Sequence, residues 1–187
     1  MESLTRNIKI SSTCGGVDLL HMDRDLAIGA RNNVYILMWR DRTTVEGATL
    51  LARSLREYSL NRPKELVLIT IIEPRAKMPA PGSREILARI LNDVSPTVLI
   101  SGVAFEGAGF MAAGIRSVVV GLTLLARQAF PHRVFKSVAE VTAWIEAEHL
   151  RIGQYFKASE LQAITSTFRR LVPPGSIRPS YEALRYG

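Results

Sequence analysis

A single cysteine, Cys14, occurs among the 187 residues, so no disulfide can form within the chain and no thiolate-rich metal site can be assembled. Cysteine usage of this kind fits a reducing compartment. Histidine is nearly as scarce. His21, His132 and His149 lie far apart with no metal-ligand spacing, so neither a metal nor another cofactor is expected. Long apolar runs are missing too: the most hydrophobic stretch, Thr97 to Arg127, is divided by Glu106 and Arg116. Its longest uninterrupted piece, Ser117 to Ala126, is well short of the roughly 20 residues a spanning helix needs. The N-terminal stretch lacks a basic start followed by an apolar segment, so no secretory signal is expected and a cytoplasmic location is the default. Glu106-Gly107-Ala108-Gly109 follows a strand-like run, yet it matches neither the dinucleotide fingerprint nor the P-loop. No catalytic constellation stands out.

What is present is an ordinary globular composition, 47% hydrophobic and 22% charged, long enough for one domain with a substantial core plus extensions. The net charge of +7 raises the question of a nucleic-acid partner. More than half of the excess lies beyond residue 150. Elsewhere arginines sit beside acids, as in Asp23-Arg24-Asp25 and Arg40-Asp41-Arg42. A mixed-sign solvated surface explains this pattern, and nucleic acid is not expected as a partner, because a footprint would need basic residues clustered on one face.

Residues 1–22 alternate weakly at Ile8 and Ile10 and read as an N-terminal arm or short strand. From residue 23 the pattern firms. Leu26 to Arg31 and Val34 to Arg40 are apolar runs around Asn32-Asn33, which predicts an antiparallel hairpin because Asn tolerates positive φ. Thr43 with Glu46 forms a capping box for a helix reaching about Leu60. Glu65 to Ile72 is a β-branched run suited to a strand buried on both faces. Three prolines keep Glu73 to Gly82 irregular. Ser83 then offers itself as N-cap for a helix over Arg84 to Asn92. Thr97 onward is a strand feeding a helix through Arg127, whose apolar positions, including Phe110, recur at i, i+3, i+4. His132 to Lys136 makes a short strand, and Ser137 with Glu140 caps a helix to about Leu150 that buries Val141, Trp144 and Ile145. Residues 151–187 read as a basic C-terminal helix, opened by Ser159 and Gln162, followed by an extended tail.

The order strand, strand, helix, strand, helix, strand, helix, strand, helix over residues 23–150 implies an α/β fold with a mostly parallel five-stranded sheet and an antiparallel edge hairpin. This order, together with Val134-Phe135-Lys136-Ser137-Val138-Ala139-Glu140-Val141-Thr142-Ala143-Trp144-Ile145, resembles the STAS-like family, the fold of bacterial anti-sigma factor antagonists and of sulphate-transporter cytoplasmic domains. The resemblance covers about two thirds of the chain. It implies a non-enzymatic protein-interaction or signalling module with an unidentified protein partner. In anti-sigma antagonists a Ser or Thr at the start of the second helix is the regulatory residue. By position Ser83 corresponds to it, although Pro81-Gly82-Ser83-Arg84 lacks the family's Asp and following Gly, and a plain N-cap accounts for a serine there.

In open α/β sheets ligands sit beyond the carboxyl ends of the strands. Those ends supply Arg40 and Arg42, then Glu73, Arg75 and Lys77, then Glu106 and Phe110, which together form a candidate partner or ligand rim. Glu73 and Glu106 are the sole acid/base candidates; solvated carboxylates paired with nearby arginines explain them better. An alternative function is binding of a small ligand or lipid in a cavity beside the helix Gly107 to Arg127, whose Ala113, Gly114 and Gly121 leave space. The basic tail would serve homo-oligomerisation or partner contact.

Overall fold

The computed structural model describes residues 16–60, 65–107, 117, 121 and 129–173. The expected arm at Ile8 and Ile10, Cys14, most of the helix Gly107 to Arg127 with Phe110, and the tail from residue 174 lie outside the described residues. Among the described residues, six strands form one sheet in sequential order: β1 (Asp18–Met22), β2 (Leu26–Arg31), β3 (Val34–Trp39), β4 (Leu66–Ile72), β5 (Val98–Phe105) and β6 (His132–Phe135). The pairs β1/β2 and β2/β3 are antiparallel, and β3/β4, β4/β5 and β5/β6 are parallel. The fold is thus mixed α/β with an antiparallel edge, as expected, but the sheet has six strands rather than five. The extra strand is β1, which lies within the stretch read as an arm or short strand. The short Val17 and Leu19 alternation is buried at the sheet edge, and Asp23 turns the chain into β2 by accepting the backbone N–H of Asp25 and Leu26, each at 2.7 Å.

The hairpin between β2 and β3 forms as the Asn-Asn pair predicts, with Asn32 at φ 52°. The register runs from Leu26 opposite Trp39 to Arg31 opposite Val34. β3 is buried along its whole length and β4 nearly so, because helices cover both faces of the sheet. α1 (Val45–Ser59) and α2 (Pro81–Asp93) lie on one face, where Leu37, Trp39, Leu51, Leu55, Leu68 and Ile90 share a core. α3 (Val138–Ala147) and α5 (Ala158–Leu171) lie on the other with Ile36, Met38, Ile69, Val141, Leu161 and Phe168. A short α4 (His149–Ile152) ends at Gly153 in the left-handed region, which Gly tolerates without a Cβ penalty. No helix among the described residues is long and apolar enough to cross a membrane.

Three helix starts differ from the capping pattern. Thr44, not Thr43, caps α1, its Oγ1 accepting the N–H of Gly47 at 3.0 Å. Ser159 lies inside α5, which begins after Lys157. α2 begins two residues before Ser83, at Pro81, with Ala80 as the capping residue and no side-chain cap; proline suits the first position because that N–H has no helical partner anyway. Ser137 does cap α3, accepting from Glu140 N at 3.2 Å.

α5 belongs to the same core as residues 23–150, since Leu161, Phe168 and Val172 pack under β2, β3 and α3. The expected separation at residue 150 therefore cuts across a shared core. The helix reaches the sheet because β2 carries Gly29: a Cβ there would lie 2.5 Å from the Phe168 ring. Replacing Gly29 with alanine should cost about 1–3 kcal/mol by overpacking. A urea midpoint lowered in Gly29→Ala and partly recovered in Gly29→Ala/Phe168→Leu is the expected result; an unchanged midpoint would show that α5 can lift away freely.

Candidate functional site

Rows of strand residues on the α1/α2 face set the shape of the site. Trp39, Ile72 and Phe105 form one row of bulky side chains across β3, β4 and β5. Two residues earlier along each strand, Leu37, Thr70 and Val103 are aligned, and two residues earlier again Leu68, Ser101 and His132. Thr70, Ser101 and Val103 are short, so α1 and α2 bridge over them and leave a cavity of about 90 Å³. Its walls are almost entirely apolar, with Leu51 and Leu55 from α1 and Leu87, Ile90 and Leu91 from α2. At the carboxyl end of β4, Thr43, Lys77 and Pro79 complete the lining.

Two of the polar side chains in the wall lack a partner among the described residues. Ser101 is 1% exposed, and its hydroxyl has no hydrogen-bond partner among the described residues. Both ring nitrogens of His132, its neighbour across β5/β6, are likewise buried and unpartnered there, although the residue as a whole is only half-buried. Leaving such groups unpaired costs about 1–3 kcal/mol each, so their presence in the wall of a cavity asks for an explanation. Burial also pushes the His132 imidazole down to about 4, because an apolar environment disfavours the charged ring. Ser101 and His132 are not bonded to each other.

The rim predicted from sequence is more heavily cross-linked than expected. Arg40 is not on it: the side chain is 1% exposed and donates from Nη1 to the Asp23 carbonyl at 2.8 Å and from Nη2 to the Pro173 carbonyl at 2.9 Å. It holds the β1/β2 turn to the end of α5. Arg42 is exposed. Lys77 pairs with Asp41 at 3.3 Å, and Arg24 approaches the same carboxylate at 3.0 Å. Partial desolvation pushes the Asp41 carboxyl up, but the two cations outweigh it and hold the group below the usual range. Glu73 pairs with Arg75 at 3.3 Å, whereas Glu106 is held by Arg169 of α5 at 2.6 Å. Each carboxylate has its own arginine. Phe110 lies outside the described residues.

Ser83 occupies a different environment from a switch residue. It is fully buried, and its hydroxyl lies 2.7 Å from the Ala80 carbonyl and 3.0 Å from that of Thr43, to which it donates. It does not cap the helix, and a phosphate could be attached only if the start of α2 opened. Ser101 and Thr70 are not singled out by the sequence, and His132 enters there as one of three histidines without metal-ligand spacing. The available signal was Ser101 within Val98 to Phe105, a polar residue in a run apolar enough to be buried on both faces.

No family model matches the chain, and no curated protein matches it. Among solved structures, an enoyl-CoA hydratase chain from Geobacillus kaustophilus aligns over 83% of this chain and 76% of that one, with 8% identity and a TM-score of 0.39. A likeness at that level carries no argument about fold or activity.

Two outcomes follow from the orphaned pair. Ser101→Ala should leave stability unchanged or raise it, since it removes a buried hydroxyl that no described group satisfies; a loss above about 1 kcal/mol in chemical denaturation would mean that the hydroxyl is structurally bonded. The pKa of His132 is lower folded than unfolded, so its contribution is present above about pH 6.5 and is lost as pH falls toward 4. That loss should approach about 3 kcal/mol. Denaturation curves across this range should be flatter in His132→Leu, and identical slopes in both proteins would contradict the assignment.

Proposed function

We propose that this chain is a non-catalytic α/β module of STAS-like build that binds a small, largely apolar ligand in the cavity beneath α1 and α2. One observation carries the reading: an apolar cavity whose wall includes two buried polar side chains with no partner among the described residues. Ligand sites commonly combine apolar walls with a few placed polar groups in this way. A volume of about 90 Å³ is below the roughly 150 Å³ of an engineered cavity that accepts benzene, so the ligand is small or slender. The absence of catalysis is supported by Glu73 and Glu106 each engaging an arginine, and by Ser101 and His132 lacking a mutual bond.

The signalling role implied by the STAS-like resemblance takes a narrower form here. The loop 73–80 lines the cavity through Lys77 and Pro79 and carries Met78, 41% exposed. It is laced to the end of β3 by the N–H of Glu73 to Trp39 O at 2.9 Å, and to the loop that follows by the N–H of Lys77 to Asp41 O at 2.6 Å. A ligand pressing on this loop would change the surface that a protein partner meets, without phosphorylation of Ser83. Self-association through the tail draws no support from α5, whose apolar face is covered by its own sheet.

Small apolar probes such as 1-chlorobutane should raise the melting temperature of the full chain in a concentration-dependent manner. Thr70→Met, which places a flexible apolar side chain in the cavity, should remove that response while keeping the fold. Absence of any probe response in the wild type, or an undiminished response in Thr70→Met, would contradict the assignment of the ligand to this cavity.

A further inference from the structure

The two groups without a partner among the described residues lie at one end of the cavity. Ser101 and His132 stand in the row of Leu68, and the row of Trp39 and Ile72 at the carboxyl end of the sheet lies four residues further along the strands. At a rise of about 3.3 Å per residue, this separates the two rows by about 13 Å. Between them the lining is apolar apart from Thr70. Lys77 is the one charged residue among the described lining residues. It belongs to the far end, with its ammonium half-exposed and paired to Asp41. The site therefore reaches both rows and is polar at the Ser101 and His132 end, with no charge there among the described residues.

On the reading that this cavity holds a ligand, we infer that the ligand is an uncharged, slender amphiphile, an alcohol or carbonyl compound on a short unbranched chain, whose polar terminus is bound by Ser101 and His132 and whose chain runs toward the loop 73–80. A hydroxyl or carbonyl matches the donors and acceptors of a serine hydroxyl and a neutral imidazole. Burial keeps His132 uncharged at neutral pH, so a carboxylate at that end would meet no cation among the described residues and would lose its hydration without compensation. An ammonium there would meet no described carboxylate. The reversed orientation, with an anionic head near Lys77 and a methyl terminus inside, leaves both polar groups facing hydrocarbon and is disfavoured for the same reason.

The test is a ligand-observed NMR titration of the full chain at pH 7.5 with 1-pentanol, pentanoate, pentylammonium and 1-chlorobutane. The expected result is that 1-pentanol binds at least about tenfold more tightly than either charged homologue. In Ser101→Ala, 1-pentanol should weaken by about tenfold, the equivalent of one hydrogen bond to a buried group, while 1-chlorobutane binds as in the wild type. That split separates recognition by Ser101 from a general change in the cavity. If 1-chlorobutane binds but the three polar ligands do not differ, or if Ser101→Ala leaves 1-pentanol unchanged, the cavity assignment stands and the inference about ligand class is overturned. Pentanoate as the tightest ligand would overturn it as well, by reversing the orientation. If none of the four binds, both the ligand class and the cavity reading fall.

Discussion

A sheet that is apolar on both faces has to be covered twice, and this requirement governs the molecule. β3 shows it most clearly. Leu37 and Trp39 point to the α1/α2 core, while Ile36 and Met38 point to the core under α3 and α5. Each such side chain is worth about 1.5–3 kcal/mol when buried, so leaving one face open would forfeit the contribution of several residues at once. The second layer is drawn partly from beyond residue 150. Glycines at its landing points let the helices descend: Gly29 lies beneath Phe168 of α5 and Gly102 beneath Val141 of α3, each with room for no Cβ. The buried guanidinium of Arg40 reinforces this layer by joining the carbonyls of Asp23 and Pro173, residues that lie at opposite ends of the described chain.

The first layer is less completely filled. The row of Trp39, Ile72 and Phe105 packs with large side chains, whereas the rows containing Thr70, Ser101 and Val103 present short ones. α1 and α2 are held at their starts by fixed contacts. Thr44 caps α1, and Ser83 ties the first turn of α2 to the segment before α1. Helices anchored in this way cannot collapse freely onto short strand residues, and space remains between the two layers. Serine and histidine in the wall of that space are what supports the proposed ligand site, because an apolar residue at either position would be the more stable choice for an empty core.

The strands were legible where the chemistry was local. The Asn-Asn turn, the β-branched run of β4, and the serine cap of α3 are decided by residues a few positions apart. The edge strand β1 was legible only as one of two alternatives, arm or short strand, because Asp18 and His21 dilute its alternation and its burial comes from β2 and from the core it shares with Phe168, far away in sequence. Arg40 was read as a rim residue because it follows a strand and carries a charge, yet its environment is set by Pro173, 133 positions later. The start of α2 was misplaced because Ser83 is a good capping residue, whereas the contact that uses its hydroxyl is with Thr43. The candidate site suffered most. Ser101 and His132 are 31 positions apart and acquire meaning only through the parallel register of β5 and β6.

The proposed site requires a neutral imidazole, unpartnered among the described residues, in the wall of an apolar cavity, and ring-nitrogen NMR of His132 observes that group directly. His21 and His149 act as internal controls in the same spectrum. The account predicts that the His132 signals remain those of a neutral ring from pH 7.5 to about pH 5 and move selectively when 1-pentanol is added. A ring that is already protonated near pH 6, or one that is unaffected by every cavity probe while His21 or His149 responds, would contradict it.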